Sequence, residues 1–450
     1  MRAVPGRIGL GGDSMRGSRM APKLERSIGL TQATAMVVGT IVGASIFVQP
    51  SEVSRAVPTF AGMLLVWVAA GALTWFGASI CAELASAYPR TGGVYVFLCE
   101  MFSPAAGFLW GWAMFWSMHS GIIAAIAMVF GRYAATIVPL GDWGIRLVAV
   151  GGILVLSSIN YIGVRPGSAV QTGLTMTKIA AIAVLLLLLF GMGTPHMPAS
   201  LGAIRPRGFL RALVAGLFAF GGWHMVTYAA EETRRPERTI PRALMIGTAV
   251  VVVTYLALNS AYLLVLPFDR VLASSHIAFD ATSATAGPGA AAAISVLVLV
   301  SSFGAMSGII LAGPRVYYAM AEDGLLFKWM GAVHPRHRTP YLAIAMQAVW
   351  SSVLVLTGTY GVIVSRVVYT EWIFFGALAL GTIALRRSRG YAPAFRAWGF
   401  PVVPVLFALV CLAIVLNQIA TDPRESLTGL ALVAAGLPVY FFWRRTHARD

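Results

Sequence analysis

The sequence predicts an all-α integral membrane protein with 12 transmembrane helices, and three observations carry that prediction. Of its 450 residues, 58% are hydrophobic and 11% are charged, against the roughly 25% charged residues of an ordinary soluble domain. Twelve stretches contain no Asp, Glu, Lys or Arg, and all but one reach the roughly 18 to 20 residues that a helix needs to cross about 30 Å of hydrocarbon. Runs such as Ala183-Val-Leu-Leu-Leu-Leu-Leu-Phe190 do not alternate, which excludes the strand pattern of a membrane barrel.

The first five spans fall at 27 to 51, 56 to 82, 101 to 131, 147 to 164 and 179 to 204. The next four fall at 212 to 230, 243 to 268, 281 to 314 and 339 to 365. The tenth, 372 to 385, holds only 14 residues. It crosses only if it extends back towards Tyr360, which puts Arg366 and Glu371 near the outer interface. Spans eleven and twelve fall at 397 to 421 and 426 to 443. Residues 1 to 26 mix Gly, Pro, Ser and Arg without an apolar run, the composition of a disordered arm rather than a signal peptide.

A net charge of +16 would point to nucleic acid in a soluble protein. Here it sorts by side. With an even number of spans and both termini cytoplasmic, 23 of the 33 Lys and Arg residues fall inside and nine outside, with Lys178 within a span. Short-loop Lys and Arg set orientation, so the excess is a topology signal in a multi-pass cell membrane protein (inner or plasma membrane). It calls for no nucleic-acid partner.

Enzyme signatures are missing. The sequence has no zinc-protease helix, no phosphate loop with Gly-Lys-Ser/Thr, no Cys-x-x-Cys pair and no Gly-x-Ser-x-Gly elbow. His334 and His337 could touch a metal, but two His without carboxylate or Cys fall short of the four ligands of a structural zinc site. The reading is therefore no enzyme, no cofactor and no metal.

Two spans carry small residues in mid-membrane. The first contains Val38-Gly-Thr-Ile-Val-Gly-Ala-Ser-Ile-Phe47, and the sixth Gly216-Leu-Phe-Ala-Phe-Gly-Gly-Trp-His224. Glycine weakens a helix by about 1 kcal/mol relative to Ala. Paired breaks at corresponding positions of two halves point to a transporter's central binding site. The competing reading is that Gly39 and Gly43 only let another helix pack closely. If the helices break, span 1 presents amides near Ala44, Ser45 and Ile46 to an anion, and span 6 presents carbonyls from Phe218 to Phe220, with that of Ile41, to a cation. A carboxylate and an ammonium a few ångströms apart describe an α-amino acid.

At these residues the sequence resembles the amino acid-polyamine-organocation superfamily, and within it the L-type amino acid transporters. Gly39-Thr-Ile-Val-Gly-Ala-Ser-Ile-Phe47 and Gly216 to His224 with Glu231-Glu232 carry the resemblance. So do Ala82-Glu-Leu84, Pro89-Arg-Thr-Gly-Gly93, Pro241-Arg-Ala243 and Leu437-Pro-Val-Tyr-Phe441. It implies a 5+5 inverted-repeat fold with broken helices 1 and 6. The first repeat would occupy 27 to 204, the second 212 to 385 and two appended spans 397 to 443, with a tail at 444 to 450. It also implies alternating access, frequent exchange, and substrate binding through Ile41, Gly43, Ala44, Ser45, Phe218, Ala219 and Gly221, with Phe218 as an aromatic gate. Two positions depart from the family: Ser45 replaces a glycine, and His224 stands where Asn is frequent. The outer loop Pro139-Leu-Gly-Asp-Trp-Gly144 lacks the Cys that joins animal members to a heavy chain, so no disulfide-linked heavy chain is expected.

Lys178, within span 5, is a charge at a depth where function is the default expectation, although a long stem can also snorkel to headgroups. The resemblance implies that it replaces a sodium ion, near Ser301, Ser302, Gly304 and Ser307 of span 8. A fixed charge there supports exchange, and a lysine that loads and releases a proton supports symport. Glu83, Arg90, Glu231, Glu232 and Arg315 form an inner gate or mark the interface, and His119, His224 and Ser307 are candidate pocket-lining residues. The sequence thus predicts a sodium-independent exchanger of neutral amino acids. A proton-coupled symporter of the same fold, or a non-transporting amino acid sensor, is the alternative.

Overall fold

The computed structural model describes residues 26–43, 45–135, 137–196, 206–274, 276–358, 360–388 and 390–447. The N-terminal arm up to residue 25, the end of the fifth stretch from 197, the candidate site residue Ala44 and residues 448–450 lie outside the described residues, as does the side chain of Arg366. The described chain is mostly helical, and its described residues hold one isolated backbone bridge, between Ile28 and Thr233. Among the described residues, ten helices are long and apolar enough to cross a bilayer. Two shorter apolar ones, Tyr341–Thr357 and Tyr369–Leu385, stand where the ninth and tenth spans were expected.

Local chemistry starts and bends these helices. Span 2, Phe60–Ala87, is capped by Thr59, whose hydroxyl accepts from the Gly62 amide at 3.1 Å. Span 3 starts at Pro104 behind Ser103, which caps Ala106, and widens into a π-turn at Met114–Met118 before His119. Span 8, Ile277–Ala312, kinks at Gly287 before Pro288 and continues into Pro314–Glu322. Span 4 is Asp142–Ile162, span 5 Val164–Met192 and span 7 Pro236–Val265. Two helices were not anticipated, Val94–Met101 before span 3 and Phe268–Ala273 after span 7.

Burial orders the bundle. Spans 1, 3 and 8 are 76%, 83% and 78% buried, whereas spans 11 and 12 are 28% and 22% buried. Spans 11 and 12, Val402–Thr421 and Ser426–Arg445, therefore stand outside a centre built from the broken and polar helices. On the lipid side, residues such as Leu187 and Leu409 are exposed, as apolar solvent allows.

Paired charges tie helix ends together. Arg315 donates to both carboxylate oxygens of Glu232, at 3.0 and 3.1 Å, with both side chains fully buried, and also to the Leu311 carbonyl. Glu83 receives Arg386 in the same two-pronged way and accepts from the Ala397 amide at 2.7 Å. The bonds from Glu83 hold the Arg386 guanidinium further in its charged form. Arg90 meets Glu100 and Asp323 at the surface, at 3.2 and 3.4 Å. Glu231 instead exchanges bonds with Thr91.

Breaking one half of a buried ion pair strands the other charge. Arg315→Met is expected to destabilise the protein by about 3 to 5 kcal/mol, while the double change Arg315→Met with Glu232→Leu recovers most of that loss. Thermal unfolding of the detergent-purified variants checks this.

Candidate functional site

Both expected breaks are present. The first half of span 1 is Leu30–Ile41; the chain then leaves the helix, and Ser45–Phe47 forms a short 3-10 turn before a helix at Gln49–Ala56. The Gly43 amide folds back onto the Ile41 carbonyl at 2.8 Å. Span 6 runs Pro206–Ala219, breaks, and resumes as the 3-10 segment Trp223–Glu232. Gly222 turns the chain at φ +101°, and a Cβ there would sit 3.2 Å from the Thr40 carbonyl oxygen. No other residue serves both demands.

The two breaks are tied to each other. The Thr40 hydroxyl reaches the Gly222 carbonyl at 3.2 Å. The Tyr255 hydroxyl of span 7 reaches Ile41 O at 2.9 Å and Ala219 O at 3.1 Å. Its ring packs on Phe220 and edge-on to Trp67, with centroids 4.8 and 5.9 Å away. One hydroxyl has one proton, and each carbonyl has two lone pairs. Accepting capacity therefore remains on the span 6 end that faces the span 1 break.

Lys178 lies against the other side of span 1, fully buried. Its ammonium donates to Val42 O at 2.6 Å, Gly39 O at 2.9 Å and Ser301 O at 3.3 Å. An ammonium has three donors, and three carbonyls meet them. The side chain thus holds the frayed end of span 1 against span 8, with Gly304 close beside it. The Ser302 and Ser307 hydroxyls take no part: Ser302 bonds back to Val298 O, and the Ser307 hydroxyl has no bond to a described residue.

Between the breaks lies a cavity of about 20 Å³. Of the expected site residues, Ile41, Gly43, Ser45, Phe218 and Gly221 line it. Ile46 and Phe220 are fully buried behind the wall, and Ala219 contributes its carbonyl to Tyr255 instead. The candidates His119, His224 and Ser307 are not in the wall. The His119 Nε2 is committed to the Ile309 carbonyl at 2.8 Å. The His224 ring sits among Trp223, Phe375, Tyr228 and Trp110, with centroids 5.0 to 5.8 Å away. His119 thus satisfies its ring against a neighbouring helix, whereas the His224 ring is held by aromatic packing and its Nδ1 has no bond to a described residue.

Five other wall residues were missed, Thr40, Ile122, Ile126, Leu217 and Trp372, besides Glu371, which the sequence reading had put at the outer interface. Glu371 is 6% exposed and lines the cavity. The tenth span does extend back to Tyr360, yet its carboxylate turns into the centre of the bundle. Apolar Ile122 and Ile126 gave no contrast in an apolar helix. Glu371 did, as an ionisable residue within an extended span.

Residues 28–441 match the amino acid permease family. The chain belongs to that family. It is 30% identical to the serine/threonine exchanger SteT of Bacillus subtilis, over 94% of this chain and 98% of that protein. It is 29% identical to the human b(0,+)-type amino acid transporter 1, over 93% and 88%. The human cystine/glutamate transporter is 27% identical over 94% and 86%. This permease is a multi-pass membrane protein related to L-type transporters, not an enzyme.

The departure at Ser45 falls in the cavity wall, where a hydroxymethyl group narrows the space beside the span 1 amides. The departure at His224 lies in an aromatic cage behind it. For this permease, Tyr255→Phe keeps the ring packing and removes one hydroxyl. It is expected to lower stability by about 1 kcal/mol and weaken substrate binding by roughly fivefold, as the loss of one net hydrogen bond would. Thermal unfolding and substrate-induced stabilisation of the purified variant read the two effects.

Proposed function

We propose that this permease is a sodium-independent amino acid transporter, working by alternating access around the breaks in spans 1 and 6 and exchanging small neutral amino acids across the cell membrane. The observation that carries the reading is Lys178. A fixed ammonium surrounded by Gly39, Val42 and Ser301 carbonyls does what a bound cation would do for an unwound helix, so none need be supplied.

The substrate carboxylate is assigned to the span 1 break at Gly43, Ala44, Ser45 and Ile46, where helix-start amides favour an anion. The ammonium is assigned to the carbonyl end of span 6, from Phe218 to Gly221, with Ile41. Phe218, at the cavity surface, is the aromatic gate. The names of the relatives support amino acids and exchange, one being a serine/threonine exchanger. Three carbonyl acceptors around one ammonium, at 2.6, 2.9 and 3.3 Å, favour a fixed charge on Lys178 over a proton carried on and off it, and hence exchange over symport.

The architecture proposed for this cycle is twelve spans with both termini cytoplasmic. Five from 27 to 204 are repeated with inverted topology from 212 to 385, and two are appended at 397 to 443. The basic residues sort to match that orientation. The transporter is read as acting without a disulfide-linked heavy chain and without a cofactor.

Uptake of radiolabelled serine, threonine, alanine and valine into proteoliposomes tests the reading. It is expected to require internal amino acid and to be equal in sodium and choline buffers. Uptake into empty vesicles driven by an inward proton gradient would replace exchange by symport, and no uptake under any condition would sink the transporter reading. Lys178→Met strips three buried carbonyls of charge-assisted partners worth roughly 1.5 to 3 kcal/mol each. Exchange per reconstituted molecule of that variant is expected to fall by at least about tenfold, read in the same assay.

A further inference from the structure

The buried charges described above are paired, with one exception. Lys178 is held by three carbonyls, Arg315 by Glu232, and Glu83 by Arg386. Glu371 has no hydrogen bond or ion pair to any described residue, although it is 6% exposed. The surface it keeps belongs to the cavity between the broken helices. A buried carboxyl group without a partner is costly, so a group that enters the cavity and pairs with it is strongly favoured.

The rest of the wall narrows what that group is. Thr40 is the other polar side chain near the break besides Ser45, and its hydroxyl is committed to Met36 O, Val37 O and Gly222 O at 2.7 to 3.2 Å. Ile122 and Ile126 of span 3, Leu217 and Phe218 of span 6 and Trp372 of span 10 close the cavity with apolar surface. At about 20 Å³, little more than the roughly 10 to 15 Å³ that one water needs, the cavity is smaller than any amino acid, so a substrate enters only as the walls part around it. A hydroxyl both donates and accepts, so it pairs with the carboxyl group whether or not that group carries a proton. An ammonium donates to either form but cannot accept the proton of the neutral one, and a methyl does neither.

We propose that Glu371 is the side-chain subsite of this permease and selects small α-amino acids that carry a side-chain hydroxyl. The proposal deepens the transport reading above and takes from it the placement of the α-carboxylate and α-ammonium at the two breaks. Glu371 acts there as a specificity-determining residue that touches the substrate.

Threonine and valine have nearly the same shape and differ in one hydroxyl, so their ratio isolates the contact. Substrate-induced thermal stabilisation of the full-length purified protein gives apparent dissociation constants whether or not transport occurs. Competition against serine uptake in proteoliposomes gives a second reading. The wild type is expected to prefer threonine over valine by on the order of tenfold or more, as sites built to bond a hydroxyl do. Glu371→Leu is expected to bring the ratio to about one, and Glu371→Gln, which keeps a donor and an acceptor, to preserve most of it. A wild-type ratio near one would overturn the subsite, as would a ratio unchanged in Glu371→Leu. Tighter binding of 2,3-diaminopropionate than of threonine would overturn the hydroxyl assignment in favour of a cation. Threonine-selective binding without uptake would sustain the subsite and sink the transport reading. If Glu371→Leu does not fold, the wild-type ratio and the Glu371→Gln ratio still decide.

Discussion

An unwound backbone inside hydrocarbon has no water to satisfy it, and the architecture of this permease follows from how the protein meets that constraint. Span 1 stops at Ile41, leaving carbonyls without the amides of a next turn. Lys178 supplies the missing donors to Gly39 and Val42 and joins them to Ser301. The single Tyr255 proton is shared between Ile41 O, which also accepts from the Gly43 amide, and Ala219 O. One charged and one neutral group, from spans 5 and 7, thus make the break tenable. Without them a continuous helix would be the cheaper conformation, and no cavity would form between spans 1 and 6.

The pairing of the remaining charges separates holding from binding. Desolvating an ion pair costs nearly as much as its attraction returns, so Glu232 with Arg315 and Glu83 with Arg386 are weak sources of net stability. They are strong constraints on geometry, because separating either pair inside the protein exposes two bare charges to a low dielectric. They fasten span 6 to the helix that continues span 8, and span 2 to the segment after span 10. Lys178, in contrast, bonds backbone carbonyls and so holds within one protomer's core without needing a carboxylate partner.

Much of this was legible in the sequence. Charge-free stretches located the spans, and glycines 39, 43, 221 and 222 located the breaks, because helix-breaking composition in mid-membrane has few other uses. Lys178 was legible for the same reason, as a charge where charge is expensive. Tyr255 was not, since nothing in an apolar span marks which tyrosine faces a broken neighbour. Glu371 was misread through the rule that found the spans: a stretch was ended wherever a charge occurred, and so the charge was assigned to an interface. The structure continues span 10 past it, which turns an apparent boundary into a lining residue. His119 and His224 fail in the opposite sense, being polar residues in mid-span that pack against a carbonyl and an aromatic cage.

The glycines of span 1 show why two readings of one motif both hold. Residues four apart share a face of an unbroken helix, so Gly39 and Gly43 would serve a single neighbour if the helix continued. Gly39 lies tight against Gln171 and Thr175 of span 5, where a Cβ would collide with both side chains. That close approach brings Lys178, two turns further along span 5, within reach of the Gly39 carbonyl. Gly43 follows the break, and the departure from helical geometry at Val42 turns it to the cavity. Close packing at the first glycine therefore places the ammonium that stabilises the break, and the break in turn frees the second glycine to line the cavity. Packing and binding are consecutive steps of one local arrangement, which explains why the motif spans both sides of the discontinuity.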